Sequence, residues 1–205
     1  MDISALRIQL DQLATLTGAG QFGNSVATNS NIVAVGGDDQ VDIYSKVKST
    51  WTLTQTLQSP SGQEDDGFGS YNTALGIDAN NLIVGAPDVQ EGATYQGRTY
   101  IYDWSDGAYQ LADTLTDPGT TGTAMFGYGV AISGNTAVVG APWENDYSGA
   151  AYIFGLHSGS WTPKLSIPDP GQTSQDSFGQ SVAAQNKTVV IGEPGASGTD
   201  GEAFV

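Results

Sequence analysis

Phe126-Gly127-Tyr128-Gly129-Val130-Ala131-Ile132-Ser133-Gly134-Asn135-Thr136-Ala137-Val138-Val139-Gly140-Ala141-Pro142 is the stretch on which the fold turns. It reads as two short β-branched runs, Val130 to Ile132 and Thr136 to Val139, joined by Ser133-Gly134-Asn135, which is the chemistry of a tight hairpin. Gly140-Ala141-Pro142 then ends the second strand, because proline cannot donate to a β-ladder and glycine permits a sharp exit.

The same unit recurs three more times. Phe22-Gly23 leads to Ile32-Val33-Ala34-Val35-Gly36-Gly37, and Phe68-Gly69 leads, after a few extra residues, to Leu82-Ile83-Val84-Gly85-Ala86-Pro87. Phe178-Gly179 leads to Val189-Val190-Ile191-Gly192-Glu193-Pro194, so the Phe-Gly pairs fall about 50 residues apart, within the range of propeller blades. Each copy continues with an aromatic third strand: Val41 to Tyr44, Thr99 to Tyr102, Ala151 to Phe154, and Glu202 to Val205. Three copies add a fourth strand, Trp51 to Leu57, Tyr109 to Leu115 and Trp161 to Leu165. The fourth copy has none, whereas Leu6-Arg7-Ile8-Gln9-Leu10 near the N-terminus has the matching apolar spacing. The expected architecture is all-β: a β-propeller of four four-stranded blades filling residues 1–205 as one domain. It is closed by the N-terminal strand, residues 4–12, pairing with the last blade as its outer strand.

Composition agrees with short strands and frequent turns, with 28 glycines and 8 prolines in 205 residues and no collagen period. A formal net charge of −16 repels phosphate backbones and argues against nucleic acid as a partner. The chain has no cysteine and one histidine, His157 in a Gly-Ser-rich turn, which leaves neither a disulfide framework nor the usual zinc ligands. No apolar run approaches the roughly 18 residues of a membrane span, and Met1-Asp2-Ile3 does not open a signal peptide.

Taken together, the Phe-Gly pairs with Gly85-Ala86-Pro87, Gly140-Ala141-Pro142, the degenerate Gly192-Glu193-Pro194 and the weaker Gly36-Gly37-Asp38 resemble the FG-GAP repeat family. These are the propeller repeats of integrin α-chains and of many secreted or surface-displayed microbial proteins. The resemblance implies an extracellular or cell-surface module for recognition, adhesion or assembly, without enzymatic activity. It also implies aspartate-rich calcium loops in the first hairpin of some repeats. Here those hairpins are Thr28 to Asn31, Asp78 to Asn81, Ser133 to Asn135 and Gln185 to Lys187, and Asp78 is their one carboxylate, so no family-style calcium site is expected. The blade count departs as well, since integrin-type propellers have seven.

The four phenylalanines of the Phe-Gly pairs, one per repeat, read as packing residues. In a four-stranded antiparallel blade, the loops joining strand two to three and blade to blade emerge at one end. That assignment gathers most of the acidic side chains on one face, including Asp38, Asp39, Asp169 and Asp176. The ligand-binding candidates are Asp65, Asp66, Asp88, Glu91, Trp143, Glu144, Asp146 and Asp200, with a protein, a glycan or a cation as the bound species. No cofactor is expected beyond weakly bound Ca2+ at Asp65, Asp66, Glu144 and Asp146. The competing readings are a carbohydrate-active hydrolase or lyase using loop carboxylates, and a purely structural subunit of a larger assembly. The expected state is a monomer or a strand-exchanged oligomer.

Overall fold

Each repeat folds where its turn residues dictate, and the computed structural model describes residues 14–18, 20–119, 122–171, 175–195 and 200–205. The first sheet runs β1 (Ser25–Thr28), β2 (Ile32–Gly37), β3 (Gln40–Val47) and β4 (Thr50–Gln58) in sequence order. The second contains β5 (Leu75–Asp78), β6 (Asn81–Ala86), β9 (Arg98–Ser105) and β10 (Ala108–Thr116), with the small hairpin β7 (Gln90–Glu91) and β8 (Thr94–Tyr95) set into its central connection. The third contains β11 (Val130–Ser133), β12 (Thr136–Ala141), β13 (Ala150–His157) and β14 (Ser160–Pro168). The fourth has three strands, β15 (Ser181–Gln185), β16 (Thr188–Glu193) and β17 (Glu202–Phe204). Neighbouring strands in all four pair antiparallel. The one helical segment among the described residues, Glu144–Tyr147, is a single turn with Asn145 and Asp146 in the left-handed region.

The repeated motif is one hydrogen bond and one close approach. The amide of the Phe-Gly glycine donates to the carbonyl of the second-strand glycine in every copy: Gly23 to Gly36, Gly69 to Gly85, Gly127 to Gly140 and Gly179 to Gly192, at 2.9–3.0 Å. The second-strand glycine also receives the next blade. A Cβ on Gly85 would stand 1.8 Å from the Gly127 carbonyl oxygen, and one on Gly140 would stand 1.8 Å from that of Gly179. The motif thus couples each blade to itself, and each of the first three to the blade that follows.

Apolar cores form between blades. Phe68 sits edge-on to Tyr100 at 5.8 Å in a cluster shared with Ile32, Ala34, Val41 and Ile43 of the first blade. Phe126 plays the same part between the second and third blades, and Phe178 between the third and fourth; all three phenylalanines are fully buried. Outer strands β4, β10 and β14 each carry a bulge at the same place, opposite the Ile-aromatic pair of the third strand. Repetition of that irregularity gives the blades a common twist.

The inner strands pack β1 on β5, β5 on β11 and β11 on β15, with no comparable packing of β15 on β1. Among the described residues, both ends of the series are bare. Val26 is 66% exposed, whereas Leu75 and Val130 at the equivalent register of the second and third blades are 8% and 4% exposed. Phe22 is only half-buried, and no blade's carbonyl lies over Gly192 as those of Gly127 and Gly179 lie over Gly85 and Gly140. The described residues therefore form four sheets in series without a closed ring. The strand expected over residues 4–12 lies outside the described residues.

Candidate functional site

The antiparallel order places the β2–β3 turns and the interblade segments at one end of the blades, and the tight hairpins at the other. Asp38 and Asp39 occupy the two-residue turn between β2 and β3, both left-handed, a conformation aspartate tolerates better than most residues. The Asp39 carboxylate reaches across to the second blade and accepts from the Gly67 amide at 2.9 Å. Asp38 accepts from the Gln21 amide at 3.1 Å. Tyr71 donates to Asp88 at 2.8 Å, and its ring lies 4.7 Å from that of Tyr128. Asp38, Asp39, Asp65 and Asp88 thereby line one cavity of about 390 Å³, with Tyr71 and Tyr128 on its wall. Burial, then the charge of Asp66, raises the Asp39 carboxyl above the usual range. Asp88 is likewise raised by burial and by Asp39 and Asp66, against the opposing hydrogen bond from Tyr71.

The structure sorts the sequence-derived candidates. Asp65 and Asp88 meet in this cavity, while Trp143 and Asp146 line a separate cleft of about 320 Å³ with Thr123 and Tyr147. Asp66 is fully buried, accepting from the Ser59 and Ser61 hydroxyls and from the Phe68 amide at 3.1 Å. Glu144 is also buried, and takes a 2.6 Å hydrogen bond from the Tyr152 hydroxyl. Glu91 pairs with Arg98 at 3.1 Å, and Asp200 is exposed. Tyr71 and Tyr128 are functional candidates that the sequence reading does not single out; each lies within two residues of a Phe-Gly pair, and that proximity is the available signal.

A second carboxylate group lies in the fourth blade. Asp169, Asp176 and Glu193 are buried with one oxygen from each within 4.8 Å of the others. Burial, reinforced by Asp169 and then by Asp176 and Glu202, pushes Glu193 up to about 7.

At the opposite end, Asp78, the one carboxylate of these first hairpins, accepts from the Gly134 amide of the next blade's hairpin. The amide of Asn29 bridges similarly to the Ala79 carbonyl at 3.0 Å, and the Asn186 backbone to the Ser133 hydroxyl at 3.0 Å. These side chains tie blades together.

Residues 110–154 and 161–205 each match the FG-GAP repeat family. The chain is 35% identical to human integrin alpha-11 over 113 residues, covering 49% of this chain and 10% of that protein. It is 30% identical to mouse integrin alpha-2 over 139 residues, covering 62% of this chain and 12% of the relative. The chain thus spans about a tenth of the length of these curated relatives. Residues 110–154 and 161–205 thus carry FG-GAP repeats, in phase with two further copies of the same glycine-coupled blade, and the chain is similar over part of its length to integrin α-chains.

Proposed function

We propose that the chain is a non-enzymatic recognition and adhesion module, working outside the cell or on its surface, which engages a basic protein surface through the acidic loop end. The observation that carries this reading is the convergence of Asp38, Asp39, Asp65 and Asp88, from three loops of two adjacent blades, on one tyrosine-walled cavity. Fixed carboxylates of one sign in a concave site focus a negative field, which speeds encounter with cationic groups and selects against acidic ones. The tyrosines add rigid contact area with a polar tip, a common feature of recognition surfaces. Similarity to integrin α-chains supports the adhesion class and the extracellular setting.

The matching fold proposal is one domain of four blades whose bare ends cover one another, with residues 4–12 as the outer strand of the fourth sheet. For the binding site, an oligolysine peptide serves as probe by calorimetry in low salt. The Asp39→Asn/Asp65→Asn/Asp88→Asn variant is expected to bind it at least about tenfold more weakly, with a shallower salt dependence. Equal affinity and equal salt slope in parent and variant would exclude the cavity as the recognition surface.

A further inference from the structure

Three equivalent positions of blades two, three and four carry different numbers of carboxylates, and only at the third does blade four differ from both siblings. The first residue after the outer strand is Ser59 in blade two, Asp117 in blade three and Asp169 in blade four. Two residues before the Phe-Gly glycine's phenylalanine stand Asp66, Ala124 and Asp176, and the middle of the Gly-Ala-Pro motif is Ala86, Ala141 and Glu193. Blades two and three thus bring one carboxylate each to this place, and blade four brings three. In blade two the one carboxylate, Asp66, is satisfied by the hydroxyls of Ser59 and Ser61.

Blade four replaces that neutral arrangement with charge. Asp169, Asp176 and Glu193 are 1%, 5% and 3% exposed. Glu193 occupies a position that is a fully buried alanine in blades two and three, and its Oε1 is buried without a hydrogen-bond partner. The other side-chain contact of Glu193 is a hydrogen bond with Asp169, and an unsatisfied buried acceptor beside two further carboxylates is strongly disfavoured unless a cation fills the space or the carboxyls share a proton.

We propose that Asp169, Asp176 and Glu193 bind a hard divalent cation of the calcium class, which holds Asp169 and Asp176 against the end of β16. Calcium takes about six to eight oxygens at about 2.3–2.6 Å, so oxygens on opposite sides of one ion stand about 4.6–5.2 Å apart, and the three carboxylate oxygens, all within 4.8 Å of one another, are close enough to share one such ion. The site lies at the loop end of the blade, away from the hairpins where integrin-type repeats carry their calcium loops. It is independent of the Asp38–Asp88 cavity between blades one and two.

The test titrates the full chain, stripped with a chelator, with calcium chloride by calorimetry, and follows melting temperature with calcium, manganese and magnesium. The expected result is one calcium site and a calcium-dependent rise in melting temperature, both lost in Glu193→Ala and in Glu193→Gln. The alanine variant restores the residue that blades two and three tolerate, and the glutamine variant keeps the side-chain volume. Both signals are expected to persist in Asp65→Asn/Asp88→Asn. Calcium binding that survives in both Glu193 variants, or that vanishes only with Asp65 and Asp88, overturns the proposal. So does a parent protein that ignores all three cations at millimolar concentration, an outcome that assigns the triad to a shared proton.

Discussion

Glu144 shows how one buried side chain sets a pH dependence. Its carboxyl is raised by burial first, with the Tyr152 hydrogen bond opposing and the charge of Asp117 adding. A carboxyl whose folded value lies above its unfolded one binds its proton more tightly in the native state. The associated stability is therefore full below the unfolded value, roughly 4.3, and is lost as the pH rises through the folded value. Glu144→Gln keeps an oxygen to accept from Tyr152 and removes the charge. Its melting temperature is expected to exceed the parent's at pH 7 by a few degrees, with the gap closing as the pH falls below about 4. A gap that is constant with pH, measured by thermal denaturation across that range, would locate the effect in packing. The same residue shows a limit of sequence reading. Glu144-Asn145-Asp146 looks like a solvated acidic loop, and only the tertiary contact with Tyr152 distinguishes the buried member from its neighbour.

At the scale of the element, the blade is the unit of packing and the glycines set its spacing. Gly140→Ala places a Cβ against the Gly179 carbonyl, and neither backbone can retreat without separating the third and fourth blades. The cost is expected to reach about 3 kcal/mol or more, in the range of severe overpacking at a close backbone contact, read by urea denaturation. Near-parent stability would mean that the blades slide freely. Strands and blade starts were legible in the sequence because they rest on local chemistry: β-branched runs, two-residue turns, and glycine beside proline. The inner-core role of Phe68, Phe126 and Phe178 was legible for the same reason, one aromatic at a fixed place in every copy. The Asp169–Asp176–Glu193 triad was not read. Its members come from an interblade segment and a strand end, and Glu193 looked only like a degenerate Gly-Ala-Pro. Laying the blades in register makes it visible, because a carboxylate then stands where two siblings bury alanine.

Over the whole molecule, the unsettled quantity is how the series ends. Repeat patterns specify how each blade meets the next, but the small rotation between blades, which decides where the first and last meet, is a sum of packing details that no periodicity carries. Among the described residues, two surfaces are left bare: Val26 and Gly23 face outward on the first blade, while Gly192 and the outer edge of β17 lie open on the fourth. Unpaired edges and apolar strand faces invite association, so these surfaces are expected to meet, within one chain or between two. If they do, the Gly23 carbonyl comes to lie over Gly192 as that of Gly179 lies over Gly140. Gly192→Val is then expected to destabilise as strongly as Gly140→Ala, although the nearest atom to a Cβ there is now the adjustable Ser181 hydroxyl, at 2.3 Å. Deleting residues 1–13 is expected to lower the melting temperature and promote aggregation through β17. Light scattering over a hundredfold range of concentration separates the routes: a constant monomer mass denotes closure within the chain, and a rising mass denotes exchange between copies. A Gly192→Val protein as stable as the parent, together with a truncated chain that stays monomeric and melts unchanged, would show that neither end is covered and that the four blades stand as an open series.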